Sequence, residues 1–201
     1  EGEQLEENKK IIASFGVYVK IRHFELPDMN PVQAICSING EISTPYCLGV
    51  SDDDFVCTQG INQSIDFLEN HPDYVAAHGK GRCICIDSNG AFGRITSVAH
   101  YPQAIVRGDT IRERLKEFFD APKAVAQSVF RVDDWQAMWQ ELDSLSPKSI
   151  YIFSELIVAS IAVTRGRIKE LDCLYYVRQA HSNILYFQTD IYDWFTNSEW
   201  L

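Results

Sequence analysis

The sequence predicts one α/β domain. Three observations carry this. Segments with helical spacing of apolar residues alternate along the chain with short segments of strand-like alternation. The 201 residues are 46% hydrophobic, enough to bury a sizeable core. No internal repeat, low-complexity tract or clear linker divides residues 1–201.

The elements follow in order. Leu5, Lys9, Ile12 and Phe15 stand at helical spacing over residues 3–15, acids fill the first turn, and Gly16 closes the helix. Val17, Val19 and Ile21 alternate with Tyr18, Lys20 and Arg22, which predicts a strand from Val17 to Phe24. Pro27 and Pro31 bracket a loop. Residues 31–39 make a short helix with Val32, Ile35 and Cys36 on one side, and Gly40 ends it. The apolar run Tyr46 to Val50 reads as a buried strand. Residues 59–70 place Ile61, Ile65 and Leu68 on one helical face until His71-Pro72-Asp73 stops the helix.

Residues 74–78 and 82–87 read as two strands joined by Gly79-Lys80-Gly81. Asn89-Gly90 signals a hairpin, and residues 92–99 continue the extended pattern. Residues 109–119 make a charged helix with Ile111, Leu115 and Phe118 inward. Val125 to Val132 is extended, and Asp133 or Asp134 caps a helix through Leu142. Residues 149–165, capped by Ser149 or Pro147 upstream and ended by Gly166, form the most apolar helix. Residues 168–177 form the last strand. The tail carries Tyr186, Phe187, Tyr192, Trp194, Phe195 and Trp200, an aromatic set suited to packing on the body or on a partner.

Composition narrows the function. A formal net charge of −10 argues against nucleic acid held on a basic surface. It leaves anionic substrates open, because a metal ion inverts local charge. The six cysteines form no Cys-x-x-Cys pair and read as reduced, buried thiols of a cytoplasmic protein. No apolar run approaches the roughly 20 residues that span a bilayer, and no signal peptide is visible.

The stretch on which the functional reading turns is Ser51-Asp52-Asp53-Asp54-Phe55. Three adjacent carboxylates repel one another and cost desolvation energy if buried. They suit either a solvated turn or a hard divalent cation, which keeps waters and binds substrate phosphates as well. Acids at the carboxyl end of a core strand also lie where open α/β sheets place their ligands.

These residues carry a family resemblance. Ile42-Ser-Thr-Pro-Tyr46, the acid triplet and Phe67-Leu-Glu-Asn-His-Pro-Asp-Tyr-Val-Ala-Ala77 resemble the middle of a family-2-like nucleotide-sugar glycosyltransferase of the GT-A fold. Ser154-Glu155-Leu156, Gly166 and Leu171-Asp-Cys-Leu-Tyr-Tyr-Val-Arg178 are similar to its late segment. The resemblance implies a mixed sheet flanked by helices. Residues 1–78 would form the metal and donor half, and residues 79–201 the acceptor half with the C-terminal helices. The strand–helix–strand that opens the family's fold has no counterpart here; the Val17–Phe24 strand corresponds to its third strand, so the chain is expected to be a piece of a longer protein.

Function is implied in the same way. A sugar passes from a nucleotide diphosphate, a UDP-sugar by preference, to a carbohydrate hydroxyl with inversion. Mn²⁺ or Mg²⁺ is held by Asp52, Asp54 and His181. Asp53 and Arg178 bind the donor, Arg107 and Asp109 face the acceptor, and Glu155 is the general base. Each residue has a plainer alternative. Glu155 complements a helix dipole, Arg178 is a surface ion-pair partner, and His181 is a polar surface residue. Trp135 and Trp139 stack on sugars or, more simply, fill the core. A non-catalytic metal- or carbohydrate-binding domain of the same fold and a sugar-phosphate nucleotidylyltransferase stand as alternative functions. The second would want a Gly-rich phosphate loop that the chain does not show.

Overall fold

The computed structural model describes residues 2–87, 93–144 and 151–180, without the side chains of residues 2–4 and 151–155. Two long strands form its centre. β3 (Tyr74–Ile86) and β6 (Arg167–Ala180) run parallel, from Tyr74 opposite Arg167 to Cys85 opposite Ala180. The other strands are antiparallel to their neighbours. β1 (Tyr46–Cys47) pairs with β5 (Val129–Arg131), which lies along Ala76 and Ala77 of β3. β4 (Ile95–Tyr101) takes the same edge of β3 further along, from Gly81 to Ile86. β2 (Asp54–Val56) flanks the far end of β6. The path β1-β5-β3-β6-β2, with β4 beside β3, makes a six-stranded mixed sheet.

Strand alternation divides the core between two faces. Ala76 and Phe130 face the larger cluster, whereas their neighbours Ala77 and Val129 face the smaller. Three helices supply the larger cluster: α4 (Ile111–Asp120) through Phe118, α5 (Val132–Ser144) through Trp135, Met138, Trp139 and Leu142, and α6 (Tyr151–Arg165) through Val158, Ala159, Ala162 and Val163. Val32, Ile35 and Cys36 of α2 (Pro31–Ile38) pack against it. Trp135 and Trp139 are thus core residues, each 5% exposed. Helix α3 (Thr58–Asn70) covers the other face, where Leu68 meets Tyr175 and Tyr176.

Local chemistry sets the helix ends. Asn30 accepts from the Gln33 N–H while the Gln33 side chain accepts from the Asn30 N–H, a capping box that starts α2. Thr110 and Glu113 do the same for α4. Helix α1 (Gly2–Phe15) ends where Gly16 was expected to close it.

Several expectations need correction. Val125 to Val132 is strand only over Val129–Arg131, because the Ser128 N–H turns back to the Val125 carbonyl at 2.9 Å. Residues 17–24 form no strand. Val17, Tyr18 and Val19 are 79, 82 and 57% exposed, and no described strand lies beside them to complete a ladder. The run Tyr46–Val50 is in the sheet only at Tyr46 and Cys47; the Gly49 N–H turns instead to the Ala126 carbonyl at 3.1 Å. Gly79-Lys80-Gly81 is no turn, because β3 continues through it, with register shifts against β6 between His78 and Gly81. A Cβ on Gly79 would stand 2.5 Å from the Cys173 carbonyl oxygen, and one on Gly81 2.5 Å from that of Tyr101. These glycines permit close strand approach rather than reversal. Asp133 and Asp134 lie in the first turn of α5 instead of capping it, since the helix starts at Val132 directly from β5. Finally, Ile111 is 52% exposed while Arg114 is buried on the inner side of α4. Residues 88–92 of the expected hairpin, the expected caps Pro147 and Ser149, and the aromatic tail lie outside the described residues.

Candidate active site

The acid triplet falls on a tight turn. The Asp54 N–H bonds the Ser51 carbonyl at 3.2 Å, which leaves Asp52 and Asp53 as the two exposed central residues. Asp54 is the first residue of β2 and is half-buried. Strand register decides what it meets. Asp54, Arg178, Cys83 and Ala99 form one row across β2, β6, β3 and β4. Val56, Tyr176, Gly81 and Tyr101 form the next row, two residues along and so on the same face.

The side chains interlock accordingly. The Tyr176 hydroxyl donates to Asp54 Oδ2, and the Gln179 N–H donates to Asp54 Oδ1 at 3.2 Å. Tyr101 and Tyr176 stack with ring centroids 5.6 Å apart on either side of Gly81, whose missing side chain leaves room for Tyr101. The Arg178 guanidinium lies over the Tyr101 ring, 5.5 Å from its centroid, with Nη1 3.5 Å from the phenol oxygen. Burial, then the hydrogen bond and charge of Asp54, push the Tyr176 phenol well above its ordinary range. It therefore stays protonated and donates. Burial likewise raises the Cys83 thiol, with Cys85 and Asp54 adding and Arg178 opposing.

The remaining expected site residues are placed elsewhere. The Arg107 backbone N–H donates to Glu117 Oε2 at 2.7 Å. Asp109 pairs with Arg167, which also holds Asp73 at 2.8 Å. Arg167 opens β6 and Arg178 lies near its end, roughly 35 Å apart along an extended strand. The structure therefore brings Asp54 and Arg178 together and does not bring Arg107 and Asp109 to them. Glu155 lies early in α6, at the end of that helix remote from Arg167; its side chain is outside the described atoms, as is His181. Among the described residues, no three His, Cys, Asp or Glu side chains converge as metal ligands. Tyr101 and Tyr176 were not singled out in the sequence. Their only sequence signal is membership of apolar strands, because the register that stacks them is long-range.

The fold has solved relatives. A crystal structure of S. aureus TarS superposes with a TM-score of 0.55 at 14% identity, over 86% of this chain and 28% of TarS. A structure of TarS 1–349 gives 0.52 at 14% identity, over 86% and 48%. TarS is a glycosyltransferase. The fold here is glycosyltransferase-like. The chain thus spans less than half the length of either structure. No protein-family model matches the chain, and no curated protein matches it in sequence. No described helix is long and apolar enough to cross a membrane.

Proposed function

We propose that the chain is the part of a glycosyltransferase that grips the donor's diphosphate, moving a sugar from a nucleotide-diphosphate donor to a carbohydrate hydroxyl. One observation carries the reading: a half-buried carboxylate, Asp54, is held in place beside the Arg178 guanidinium where β2 flanks the end of β6 in a glycosyltransferase-like sheet. Asp54 and Arg178 offer both charge types that a metal–diphosphate group needs.

The donor set fits a shared cation rather than a protein cage. A carboxylate has about four lone-pair sites, of which Tyr176 and Gln179 occupy two. Mg²⁺ and Mn²⁺ commonly take one or two carboxylates and complete their shell with waters and substrate phosphates. Asp54 is our direct ligand, with exposed Asp52 acting through water or on the ribose and Asp53 on the donor; His181 is a further proposed ligand. Such a cation supplies Lewis-acid stabilisation of the leaving diphosphate. Arg178 adds a fixed positive charge on the same face of the sheet. Glu155 takes the acceptor's proton as its oxygen attacks the anomeric carbon, a contribution of about 10²–10⁴-fold. Attack opposite the leaving group gives inversion. Arg107 and Asp109, at the other end of β6, have no part in the chemical step in this reading. The six free thiols fit a reducing cytoplasmic compartment.

A second reading has its own support. Both Asp54 oxygens already accept hydrogen bonds within the chain, as they would if the turn were structural and the domain a non-catalytic relative. One experiment separates the two. UDP with Mn²⁺ should raise the melting temperature by about 5–10 °C at a hundredfold excess over Kd. Asp54→Asn should abolish the shift. Glu155→Gln should keep it while ending transfer. No shift with any sugar nucleotide and metal sinks the transferase reading for this chain.

A further inference from the structure

We propose that Tyr176 is a positioning residue, holding the Asp54 carboxylate in the one orientation that receives a cation. This rests on the reading of Asp54 given above and extends it to a residue that does not touch substrate. Three observations support it. Tyr176 is 0% exposed, and its ring is fixed by stacking on Tyr101, so its hydroxyl has one available position. That hydroxyl donates to one Asp54 oxygen while the Gln179 N–H donates to the other. Both donors come from β6, and they occupy two of the carboxylate's roughly four lone-pair sites, which leaves about two for a cation.

Physical necessity gives the pair a purpose. Asp54 adjoins an exposed turn, and an unheld carboxylate there would be ordered afresh at each binding event. Partners that orient a metal ligand typically contribute 10–100-fold in metal affinity. A purely structural tyrosine stands next to it for comparison. Tyr175 is equally buried, but its hydroxyl donates to the Gln127 carbonyl at 2.6 Å.

The test is a Mn²⁺ titration of thermal stability at saturating UDP. Tyr176→Phe should raise the Mn²⁺ concentration for half-maximal stabilisation about tenfold. p-Aminophenylalanine at position 176, which restores a donor, should bring it back to the wild-type value. Tyr175→Phe should lower the unliganded melting temperature and leave the Mn²⁺ midpoint in place. If Tyr176→Phe does not fold, O-methyltyrosine at 176 keeps the oxygen, removes its proton and should give the same tenfold rise. A wild-type midpoint in the variant lacking the donor overturns the proposal alone. Absence of any UDP–Mn²⁺ stabilisation in the wild type overturns the reading of Asp54 and this proposal with it.

Discussion

Arg114 lies in α4 at a position where a charged helix pattern suggests a solvated residue, yet it is only 8% exposed. Its guanidinium donates to four backbone carbonyls. Nε reaches Val163 at 2.7 Å, Nη2 reaches Thr164 at 2.9 Å, and Nη1 reaches Asp109 at 2.9 Å and Gly108 at 3.3 Å. Two of these carbonyls belong to the last turn of α6, where the helix itself supplies no donors and the dipole favours a cation. One side chain therefore closes the helix that carries Glu155 and ties it to the loop before α4. Arg114→Ala should destabilise the fold by about 3 kcal/mol, since charge-assisted bonds are lost and buried carbonyls are left unmet. Lysine recovers only part of this, because a point ammonium does not span the fork. Chemical denaturation of the two variants measures both effects. An alanine variant within about 0.5 kcal/mol of wild type, the usual range for a surface change, would return Arg114 to the surface.

At the scale of elements, helices were legible and strand pairing was not. The spacing of Ile61, Ile65 and Leu68 located α3 because those contacts lie within one segment. The unbroken β3 was hidden for the opposite reason. Gly79-Lys80-Gly81 has turn composition, and only the approach of Cys173, Tyr175 and Tyr101 from other strands explains the glycines. The same long-range dependence concealed Tyr176 beside Asp54, whereas the acid triplet itself was plain in the sequence. Gly79→Ala tests this account. Its Cβ would lie 2.5 Å from the Cys173 carbonyl oxygen and 2.7 Å from the Tyr175 Cβ, atoms that move only with the sheet. A loss of about 3 kcal/mol is expected, the upper end for overpacking. Gly40→Ala is the control. Nothing lies within 4 Å of its Cβ and its φ is not positive, so alanine should be neutral or stabilise by about 0.5 kcal/mol. Equal melting temperatures for the two variants would restore the turn reading.

For the whole molecule, the sheet and the helices α2 to α6 share two clusters, and among the described residues none before α2 belongs to either. Residues 17–24 show why a local pattern was a poor guide there. Alternation suits a half-buried strand, but a strand also needs a neighbour to bond with, and alternation says nothing about whether one is present. Among the described residues, the ion pairs of this region are exposed: Lys9 pairs with Glu25 at 2.8 Å, and Arg22 pairs with Glu41. Exposed ion pairs of this kind contribute little. Local opening there should cost almost nothing, while cutting β3 or α5 requires opening the core. An opening cost of about 3 kcal/mol lowers the cleavable population by about 100-fold. Limited trypsin digestion followed by intact-mass analysis should therefore cut at Lys20 or Arg22 before any site in the sheet or in helices α2 to α6. Cleavage after Arg22 leaves a fragment that starts at His23. That fragment should retain the UDP–Mn²⁺ response, because Asp54, Arg178 and Tyr176 all lie within the sheet. Early cleavage at Arg82 in β3 or Arg131 in β5 would show instead that the sheet opens as easily as the arm, and that the two clusters are not its stable centre.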